Sequence, residues 1–506
     1  MRRRSSSPLF LPHLFLLSCC FPWLPFSASQ AAVEYLPGFD GPLPFYFETG
    51  YVGVGEWEDV QLFYYFVKSQ GKPETDPLVL WLTGGPGCSA LSGLFHEIGT
   101  TTLLPTIRVI GTNWFLTLTI FWKSVSSSGP IHFKLEEYNG KLPSLILNPD
   151  AWTQVASIIF VDLPVLTGFS YARTEAAALS SDNLDIDQAV EFLRKWLKEH
   201  GEFKSNPVYI GGDSYAGIHI PGAALRISNE NEQGIQPVIN LEGYLVGNGR
   251  ANATIEQNSK IKFAHRMALI SDELYEVPTI GIDYVTSLRR SCGGEYYNVD
   301  PSNSECIKHV RDFEKCTSGL YVAQILSPEC TYVSPKPTRM APRRSMSLEE
   351  LLELEAESLP RLGCPTFTYL LSKYWANDES VQSALRVRKV QNFIILSSQL
   401  DIIIIIINDT NGAFFVLVGN SGDHDLIKPY VGTLEWIRSL NFRIVDEWRP
   451  WLFKNQVAGY TRTYSDPRYF NLMTFATVKG GGHTAPEYKP PECFAMFQRW
   501  ITGKPL

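Results

Sequence analysis

The chain has 506 residues, of which 44% are hydrophobic and 13% aromatic, so it can bury a large core and does not belong to the disordered class. Its formal net charge of −8 is spread along the sequence rather than gathered in tails, and no basic stripe with interleaved aromatic residues is present. This composition predicts one large domain or two, and it argues against nucleic acid as a partner.

The first thirty residues have the pattern of a secretory signal peptide. Met1-Arg2-Arg3-Arg4 precedes an apolar run over 9–26, and small residues follow up to Ala32. A membrane anchor is the alternative, but the prolines and an apolar run of about eighteen residues fit a cleaved segment better. We expect a mature chain that starts near residue 30, enters the secretory pathway and is not bound to a membrane. Asn252 starts an N-glycosylation pattern, and Asn408 starts a second one.

Strand-like and helical runs alternate in the first half of the chain. The runs 60–67, 77–82, 158–161 and 208–210 are β-prone and apolar, and 187–200 is an amphipathic helix. Strands that are apolar throughout are typical of a parallel sheet with both faces covered. The sequence therefore predicts the α/β class, with a mixed, mostly parallel sheet flanked by helices.

The character of the sequence changes between about 250 and 385. Cysteines, charged helices and a proline- and arginine-rich stretch at 335–344 are found there, which predicts a cap inserted into the fold. The core would then consist of 31–249 and 386–506. The stretch 335–344 is either an exposed nicking site, which would give a two-chain form, or an ordinary surface loop of a monomer.

Seven cysteines remain once the signal peptide is removed, and the secretory route implies an oxidising compartment for them. Four lie between 292 and 330, in an irregular stretch that local disulfides would stabilise, and Cys292 with Cys306 is our first choice of pair. A zinc site is the alternative, but neither CxxC nor paired histidines accompany the cluster. We expect Cys493 to be the unpaired thiol. The expected disulfide-forming residues are Cys88, Cys292, Cys306, Cys316, Cys330 and Cys364.

The segment Gly211-Gly212-Asp213-Ser214-Tyr215-Ala216-Gly217 places a serine in a sharp turn. A short β-prone run over 206–210 precedes it, and 218–227 can continue as a helix. Strand, tight turn and helix are the geometry of a nucleophile elbow, whose small residues tolerate a strained backbone. Ser214 is therefore the predicted nucleophile.

A serine hydroxyl needs a neighbouring base and a group that orients the base. Ser421-Gly422-Asp423-His424-Asp425 follows a β-like run, and His483 lies on a glycine-rich loop near the C-terminus. The chain order Ser, Asp, His is that of α/β-hydrolases. We predict that fold and a triad of Ser214, Asp425 and His483, choosing Asp425 over Asp423 because it lies further into the turn.

The stretch Gly84-Gly85-Pro86-Gly87 follows a predicted buried strand and can aim backbone N–H groups at a developing oxyanion. We assign the oxyanion hole to the N–H groups of Gly85 and Tyr215. A plain turn is the alternative, and a phosphate-binding loop is not favoured because no Lys-Ser/Thr pair follows. Neither a cofactor nor a metal is expected.

Four blocks of the chain together resemble plant serine carboxypeptidase-like proteins. They are Trp81-Leu82-Thr83-Gly84-Gly85-Pro86-Gly87-Cys88-Ser89, Gly212-Asp213-Ser214-Tyr215-Ala216-Gly217, Ser421-Gly422-Asp423-His424-Asp425 and Gly480-Gly481-Gly482-His483-Thr484-Ala485-Pro486. The resemblance covers roughly 33–99, 130–389 and 421–506. It implies an α/β-hydrolase fold with a disulfide-stapled cap, a serine triad, and residence in the vacuole or outside the cell.

The family that the chain resembles contains peptidases and acyltransferases. Its peptidases carry Asn and Glu where this chain has Thr83 and Asp213, and those side chains hold the terminal carboxylate of a peptide. With Thr83, Gly84 and Asp213 as substrate-binding residues, the chain resembles the acyltransferase branch, which moves an acyl group from a glucose ester to an alcohol acceptor. A carboxypeptidase that binds a peptide C-terminus is the first alternative, and an inactive product is the second.

Two segments depart from the family pattern. Residues 100–129 look like an apolar insertion, and 390–420 contains six consecutive isoleucines where the family has a pocket-lining stretch. Our hypothesis is that both are translated intron sequence, which full-length transcript sequencing would test. A smaller departure is Leu166, where the family has glycine; it would add bulk near the pocket.

Overall fold

The computed structural model describes residues 31–97, 104–112, 115–123, 129–136, 138–275, 287–329, 365–388, 415–465 and 472–506. The strands are β1 Ala31–Ala32, β2 Phe47–Val54, β3 Val60–Val67, β4 Leu78–Leu82, β5 Leu104–Thr112, β6 Phe115–Lys123, β7 Ile131–Phe133, β8 Leu145–Leu147, β9 Ser157–Val161, β10 Tyr171–Ala172, β11 Val208–Asp213, β12 Leu241–Gly247, β13 Phe415–Gly422, β14 Arg443–Phe453, β15 Gln456–Ser465 and β16 Leu472–Val478.

The helices are α1 Ala90–Ser92, α2 Asp182–Glu199, α3 Ala216–Glu232, α4 Ala253–Arg266, α5 Asp272–Tyr275, α6 Leu288–Cys292, α7 Ser304–Thr317, α8 Pro365–Asn377, α9 Glu379–Ala384, α10 Tyr430–Ser439, α11 Ala485–Tyr488 and α12 Pro490–Ile501. A π-helical turn, Gly93–Glu97, continues α1. Within the described residues, no helix is both long and apolar enough to cross a bilayer.

One sheet organises the described part of the chain. Its twelve strands run in the order β1-β2-β3-β9-β4-β11-β12-β13-β16-β15-β14, with β10 paired to β3. The strands from β9 to β16 in this order are parallel neighbours, and antiparallel strands flank them on both sides. This mixed, mostly parallel sheet is the architecture that the sequence predicts, and β3, β4, β9 and β11 coincide with the four predicted strands.

The central strands are buried on both faces because helices cover each side. In β4, Val79 and Trp81 pack into one core cluster, while Leu78, Leu80 and Leu82 pack into the other. Helices α2 and α3 supply the second cluster through side chains such as Trp196 and Ile220. The uninterrupted apolar character of β4 is thus explained by its central position.

Helix α2 begins at Asp182, five residues before the predicted start at 187. The Ser181 side chain caps the helix by accepting a hydrogen bond from the Leu184 N–H at 3.4 Å. Residues 182–186, which include two aspartates and an asparagine, form the first turn of the helix and not the loop that the sequence predicts. Helix α3 likewise extends beyond the predicted run 218–227, to Glu232, and contains Pro221.

The region predicted as a cap contains helices α4 to α9. It holds the predicted disulfide Cys292–Cys306, whose Cα atoms lie 4.9 Å apart. Cys316 is an exposed free thiol, so its predicted disulfide is wrong; the other cysteine of α7, Cys306, is already bonded to Cys292. Cys493 is the buried free thiol that we expected. Cys330 and Cys364 lie outside the described residues, and the pairing of Cys88 stays a prediction.

Removing the disulfide with the double change Cys292→Ser and Cys306→Ser is expected to lower the free energy of unfolding by about 3 kcal/mol, because the bond closes a loop of 14 residues in the unfolded chain. Urea unfolding of the purified protein measures this loss. Cys316→Ser is the matched control and should leave stability unchanged, since that thiol is exposed. An equal loss in both variants would contradict the prediction.

The structure describes more of 100–129 than of 390–420, the two segments that depart from the family pattern. Within 100–129, β5 and β6 pair as an antiparallel hairpin separate from the main sheet. Within 390–420, the isoleucine run lies outside the described residues, as do 335–344 and Asn408, and β13 starts at Phe415. Whether either segment derives from an intron stays a hypothesis, and the domain boundaries stay predictions.

Leu166 lies in the turn after β9 with φ +71°, a left-handed conformation that favours glycine. Its side chain is 45% exposed. The physical cost of this departure from the family pattern is therefore backbone strain more than bulk within the core.

Candidate active site

Ser214 lies at the junction of β11 and α3, in the centre of the sheet's parallel part. Its φ of +51° is the strained geometry of a nucleophile elbow, and its N–H donates to the Gly247 carbonyl at 2.9 Å. A Cβ at Gly212 would lie 2.0 Å from the Leu82 carbonyl oxygen, so only glycine fits between the two strands there. The local sequence thus produces a turn that lifts the Ser214 hydroxyl above the strand ends.

The structure brings the three predicted triad residues together. The Nε2 atom of His483 lies 2.9 Å from Ser214 Oγ, and its Nδ1 atom lies 2.8 Å from Asp425 Oδ2. This arrangement requires the histidine tautomer with its proton on Nδ1, so that Nε2 can accept the serine proton. Asp423 faces elsewhere: its carboxylate contacts His424 Nδ1 and accepts from the Gly480 N–H, both at 2.6 Å.

Asp425 is fully buried and is held by hydrogen-bond donors on every side. Its Oδ1 accepts from the N–H groups of Ile427 at 2.7 Å and Lys428 at 3.1 Å, and its Oδ2 accepts from Asn248 Nδ2 at 2.6 Å. Asn248 follows β12 with φ +40°, and it was missed at the sequence level. The sequence feature that could have indicated Asn248 is the Gly-Asn-Gly turn at the end of a buried strand.

The electrostatic surroundings of His483 favour its protonated form. Burial by itself would lower the pKa of the imidazole, but the Asp425 carboxylate and, to a lesser extent, Asp213 raise the pKa above its ordinary value. A histidine with a raised pKa holds more firmly the proton that it takes from Ser214. The site can therefore stabilise the imidazolium that accompanies a tetrahedral intermediate.

The glycine loop after β4 lies against the elbow. A Cβ at Gly84 would lie 2.6 Å from Ser214 Cβ and 3.0 Å from the Tyr215 nitrogen, so the loop approaches the nucleophile as closely as backbone allows. Among the described hydrogen bonds, none uses the N–H of Gly85 or of Tyr215. These are the two donors that the sequence assigns to the oxyanion hole, and their position beside Ser214 is compatible with that role.

A buried aspartate that we did not predict fixes this loop. Asp162 Oδ1 accepts from Ser89 Oγ at 2.6 Å and from the Ala90 N–H at 2.8 Å, which anchors the start of α1 just after the glycines. Burial raises the pKa of Asp162 to about 6, although these hydrogen bonds act in the opposite direction. An acidic residue at the end of the buried strand β9 was the sequence signal.

The two positions that distinguish the peptidase and acyltransferase patterns lie beside Ser214. Asp213 is buried, and its Oδ1 accepts from the Gly84 N–H at 3.2 Å. The Thr83 hydroxyl is buried with no hydrogen-bond partner among the residues that the structure describes. A buried hydroxyl without a partner is costly, so this group is available to a substrate.

Below the elbow lies the one group of residues, within the described ranges, that has the spacing of metal ligands. Asp182, Asp185 and His219 are buried, with ligand atoms within 4.8 Å of one another. These residues already have hydrogen-bond partners: His219 Nε2 lies 3.2 Å from Asp182 Oδ1, and the Tyr215 hydroxyl donates to the same oxygen at 3.2 Å. The group thus supports Tyr215 from below, and nothing in its bonding calls for an ion.

Three comparisons place this geometry among known proteins. A family model described as serine carboxypeptidase matches residues 37–114 and 124–503, and the unmatched gap 115–123 is strand β6. The chain is 45% identical over 487 aligned residues to "Serine carboxypeptidase-like 7" of Arabidopsis thaliana, with 94% of each protein covered. It is 44% identical over 518 aligned residues to "Serine carboxypeptidase-like 19" of the same plant, with 100% of each covered.

A solved structure has a similar fold. The crystal structure of Kex1(Δ)p, a prohormone-processing carboxypeptidase from Saccharomyces cerevisiae, matches with a TM-score of 0.61 and 19% identity, covering 93% of this chain and 95% of that chain. At this identity the likeness shows the fold alone. It confirms the predicted α/β-hydrolase fold.

Proposed function

This chain belongs to the serine carboxypeptidase family, and we propose that within it the chain is an acyltransferase, which moves a hydroxycinnamoyl-type acyl group from a glucose ester through acyl-Ser214 to an alcohol acceptor. The observation that carries the proposal is the pair Thr83 and Asp213 beside the nucleophile. A peptide's terminal carboxylate needs an amide donor and a longer acid there, whereas this site offers a hydroxyl and a short carboxylate already bonded to the Gly84 N–H.

The reaction proceeds in two half-reactions at one site. Ser214 Oγ attacks the ester carbonyl while His483 Nε2, 2.9 Å away, takes the hydroxyl proton. The Gly85 and Tyr215 N–H groups stabilise the oxyanion, and a donor of this kind contributes about 3 kcal/mol. His483 then gives the proton to the leaving sugar oxygen. In the second half-reaction the acceptor hydroxyl loses its proton to His483 and attacks the acyl-serine. The bond between the acyl carbon and Ser214 Oγ then breaks, and His483 returns the proton to Oγ.

Hydrolysis and transfer differ only in the nucleophile that deacylates Ser214. Water gives a free acid, and a bound alcohol gives a new ester. Holding the acceptor in line with the acyl carbon favours transfer by several kcal/mol, because an intermolecular step becomes effectively intramolecular. A subsite that binds hydroxyl groups beside Ser214 therefore suits an acyltransferase.

A carboxypeptidase is the alternative, favoured by the buried carboxyl of Asp213, which could share a proton with a peptide carboxylate at acidic pH. An inactive product is the second alternative, and the close contacts of Ser214, His483 and Asp425 argue against it.

Incubating the purified protein with hydroxycinnamoyl-glucose and a panel of alcohols, and separately with a blocked dipeptide at acidic pH, tests the proposal. Ester formation that depends on Ser214 is the expected result. Dipeptide cleavage without any transfer would overturn the proposal, and absence of a covalent adduct with a serine-directed phosphonate would support the inactive product.

The double change Thr83→Asn and Asp213→Glu is expected to raise kcat/KM for a blocked dipeptide at acidic pH by about tenfold or more, because an amide and a longer carboxyl add hydrogen bonds to the substrate carboxylate. Peptidase assays of the double variant and both single variants measure the gain. Thr83→Val, which removes the hydroxyl and adds no donor, is the matched control and should give none. A double variant no better than the wild type would count against the assignment of these two positions.

The proposed location is the secretory pathway, with the vacuole or the cell exterior as destination. Support comes from the disulfide Cys292–Cys306, which persists in oxidising compartments. The Asn252 side chain caps α4 by accepting from the Ile255 N–H at 3.0 Å through Oδ1, which leaves Nδ2 for a glycan. Glycosylation of Asn252, and a monomer or a nicked two-chain form, are parts of the same proposal.

A further inference from the structure

A buried carboxyl group that the mechanism does not use lies next to the catalytic histidine. Glu487 is in α11, four residues after His483, and only 6% of it is exposed. Its Oε2 accepts a close hydrogen bond from Thr484 Oγ1 and a longer one, 3.4 Å, from the Tyr369 hydroxyl of α8. The carboxyl is therefore held between the histidine loop and a helix of the predicted cap.

Helix capping does not explain this position. Thr484-Ala485-Pro486-Glu487 has the spacing of a capping box, in which the glutamate carboxylate would bind the backbone N–H of the first residue. Here the Thr484 hydroxyl donates to the carboxylate instead, and no side chain caps α11. The helix therefore gains little from this acid.

Ion pairing does not explain it either. Within the described residues no Lys, Arg or His forms an ion pair with Glu487, and the charged groups that act on it are His483 and Asp213. Burial raises the pKa of Glu487 to about 7, although the bonds from Thr484 and Tyr369 favour the ionised form. A buried acid kept beside a second acid lowers stability, which points to a use in binding.

The surroundings of Glu487 connect it to Thr83, which precedes the glycine loop beside Ser214. Helix α11 packs against the π-helical turn Gly93–Glu97, and in that turn the His96 ring stacks on the Tyr369 ring with centroids 4.3 Å apart. A Cβ at Gly93 would lie 3.0 Å from Thr83 Oγ1, which places the unpartnered hydroxyl against the same turn. Thr83 and Glu487 thus pack against the same turn, and the charge of Asp213, the residue before the nucleophile, acts on the Glu487 carboxyl.

We propose that Glu487 is a specificity-determining residue of the subsite for the alcohol part of the ester, where it binds a hydroxyl group of the leaving sugar and of the incoming acceptor. Both described bonds fall on its Oε2, so Oε1 is left for a ligand. The Glu487 carboxyl and the Thr83 hydroxyl suit a neutral, hydroxylated group, because each can pair with an alcohol O–H, whereas a carboxylate would be repelled by Asp213. This inference rests on the proposed function.

The test compares two esters of the same hydroxycinnamic acid, the glucose ester and the methyl ester, whose leaving alcohol has no further hydroxyl. Glu487→Gln and Glu487→Leu are expected to lower kcat/KM for the glucose ester by about tenfold, mainly through KM, and to change the methyl ester less than about threefold. The rate of Ser214 labelling by a serine-directed phosphonate should also change less than about threefold, because the triad residues are unchanged.

Two matched controls separate binding from folding. Glu48→Gln removes another buried carboxyl, which is bonded to His200 and Tyr64 and not to residues around His483. It should leave the ratio of kcat/KM for the two esters unchanged. Tyr369→Phe frees Oε2 of one donor and should shift the ratio in the same direction as the Glu487 variants, whereas Tyr374→Phe in the same helix should not.

Equal losses with both esters would show that Glu487 acts through His483, and wild-type kcat/KM with both esters would show that it does not touch the alcohol. Either result overturns this inference and leaves the proposed function standing. A wild-type protein that transfers no acyl group and cleaves only the dipeptide overturns the proposed function, and with it this inference.

Discussion

Replacing Ser214 with alanine is expected to lower the proposed acyl transfer by at least about 10⁴-fold, because the proposed nucleophile is lost while the groups assigned to the oxyanion hole and to substrate binding remain. His483→Ala should cost about as much, since Ser214 Oγ then has no base at 2.9 Å. The combined variant should be no slower than either single one, because the two residues act as a unit. Steady-state transfer from hydroxycinnamoyl-glucose measures all three.

Ser205→Ala is the control for these variants, since Ser205 is exposed and lies before β11. It should keep wild-type turnover and wild-type labelling by the phosphonate, whereas Ser214→Ala should not be labelled at all. Turnover above about a tenth of the wild-type rate in Ser214→Ala would show that another group carries the acyl chain.

Asp425→Asn is expected to lower kcat/KM by about 10⁴-fold, as the loss of a triad carboxylate does when the histidine can no longer be held in the productive tautomer. The pH dependence should change as well. In the wild type the Asp425 carboxylate raises the pKa of His483 against the effect of burial, and activity falls as the pH drops through that raised pKa. In the variant burial remains and the charge is gone, so the acid limb of the kcat/KM profile should move to lower pH.

Asp423→Asn is the matched control, since Asp423 lies two residues away and its carboxylate contacts His424 and the Gly480 N–H rather than His483. An amide oxygen can still accept from Gly480, so activity should fall by less than about tenfold and the acid limb should stay in place. A larger loss in Asp423→Asn than in Asp425→Asn would reverse the assignment of the triad acid.

The central sheet could be predicted because the residue types of each strand reflect whether its faces are buried. β4 is apolar at every position since both of its faces are covered, and β11 leads into a glycine-flanked serine that only a tight turn accommodates. The start of α2 was predicted too late because its capping serine and two acids read as loop, although Asp182 and Asp185 are buried against His219. A local pattern cannot show that a polar side chain finds its partner in another helix.

The chemistry-bearing residues were identified by their neighbours along the chain. Ser214, Asp425 and His483 each follow a strand-like run, and the ends of parallel strands meet at one edge of a sheet, so their order and setting indicated one site. The contacts of Cys316 could not be predicted in this way, because a disulfide depends on Cα distances across the cap and not on clustering in the sequence.

The sequence by itself determined the fold class and the three residues nominated for the triad, because periodicity and turn chemistry are local properties. Only the tertiary structure decided which groups support them. Asn248 reaches Asp425 from another strand, Asp162 anchors the glycine loop, and Glu487 meets Tyr369 across 118 positions of the chain. Hydrogen bonds and burial between distant segments arise only when the sheet has assembled, so no local pattern records them.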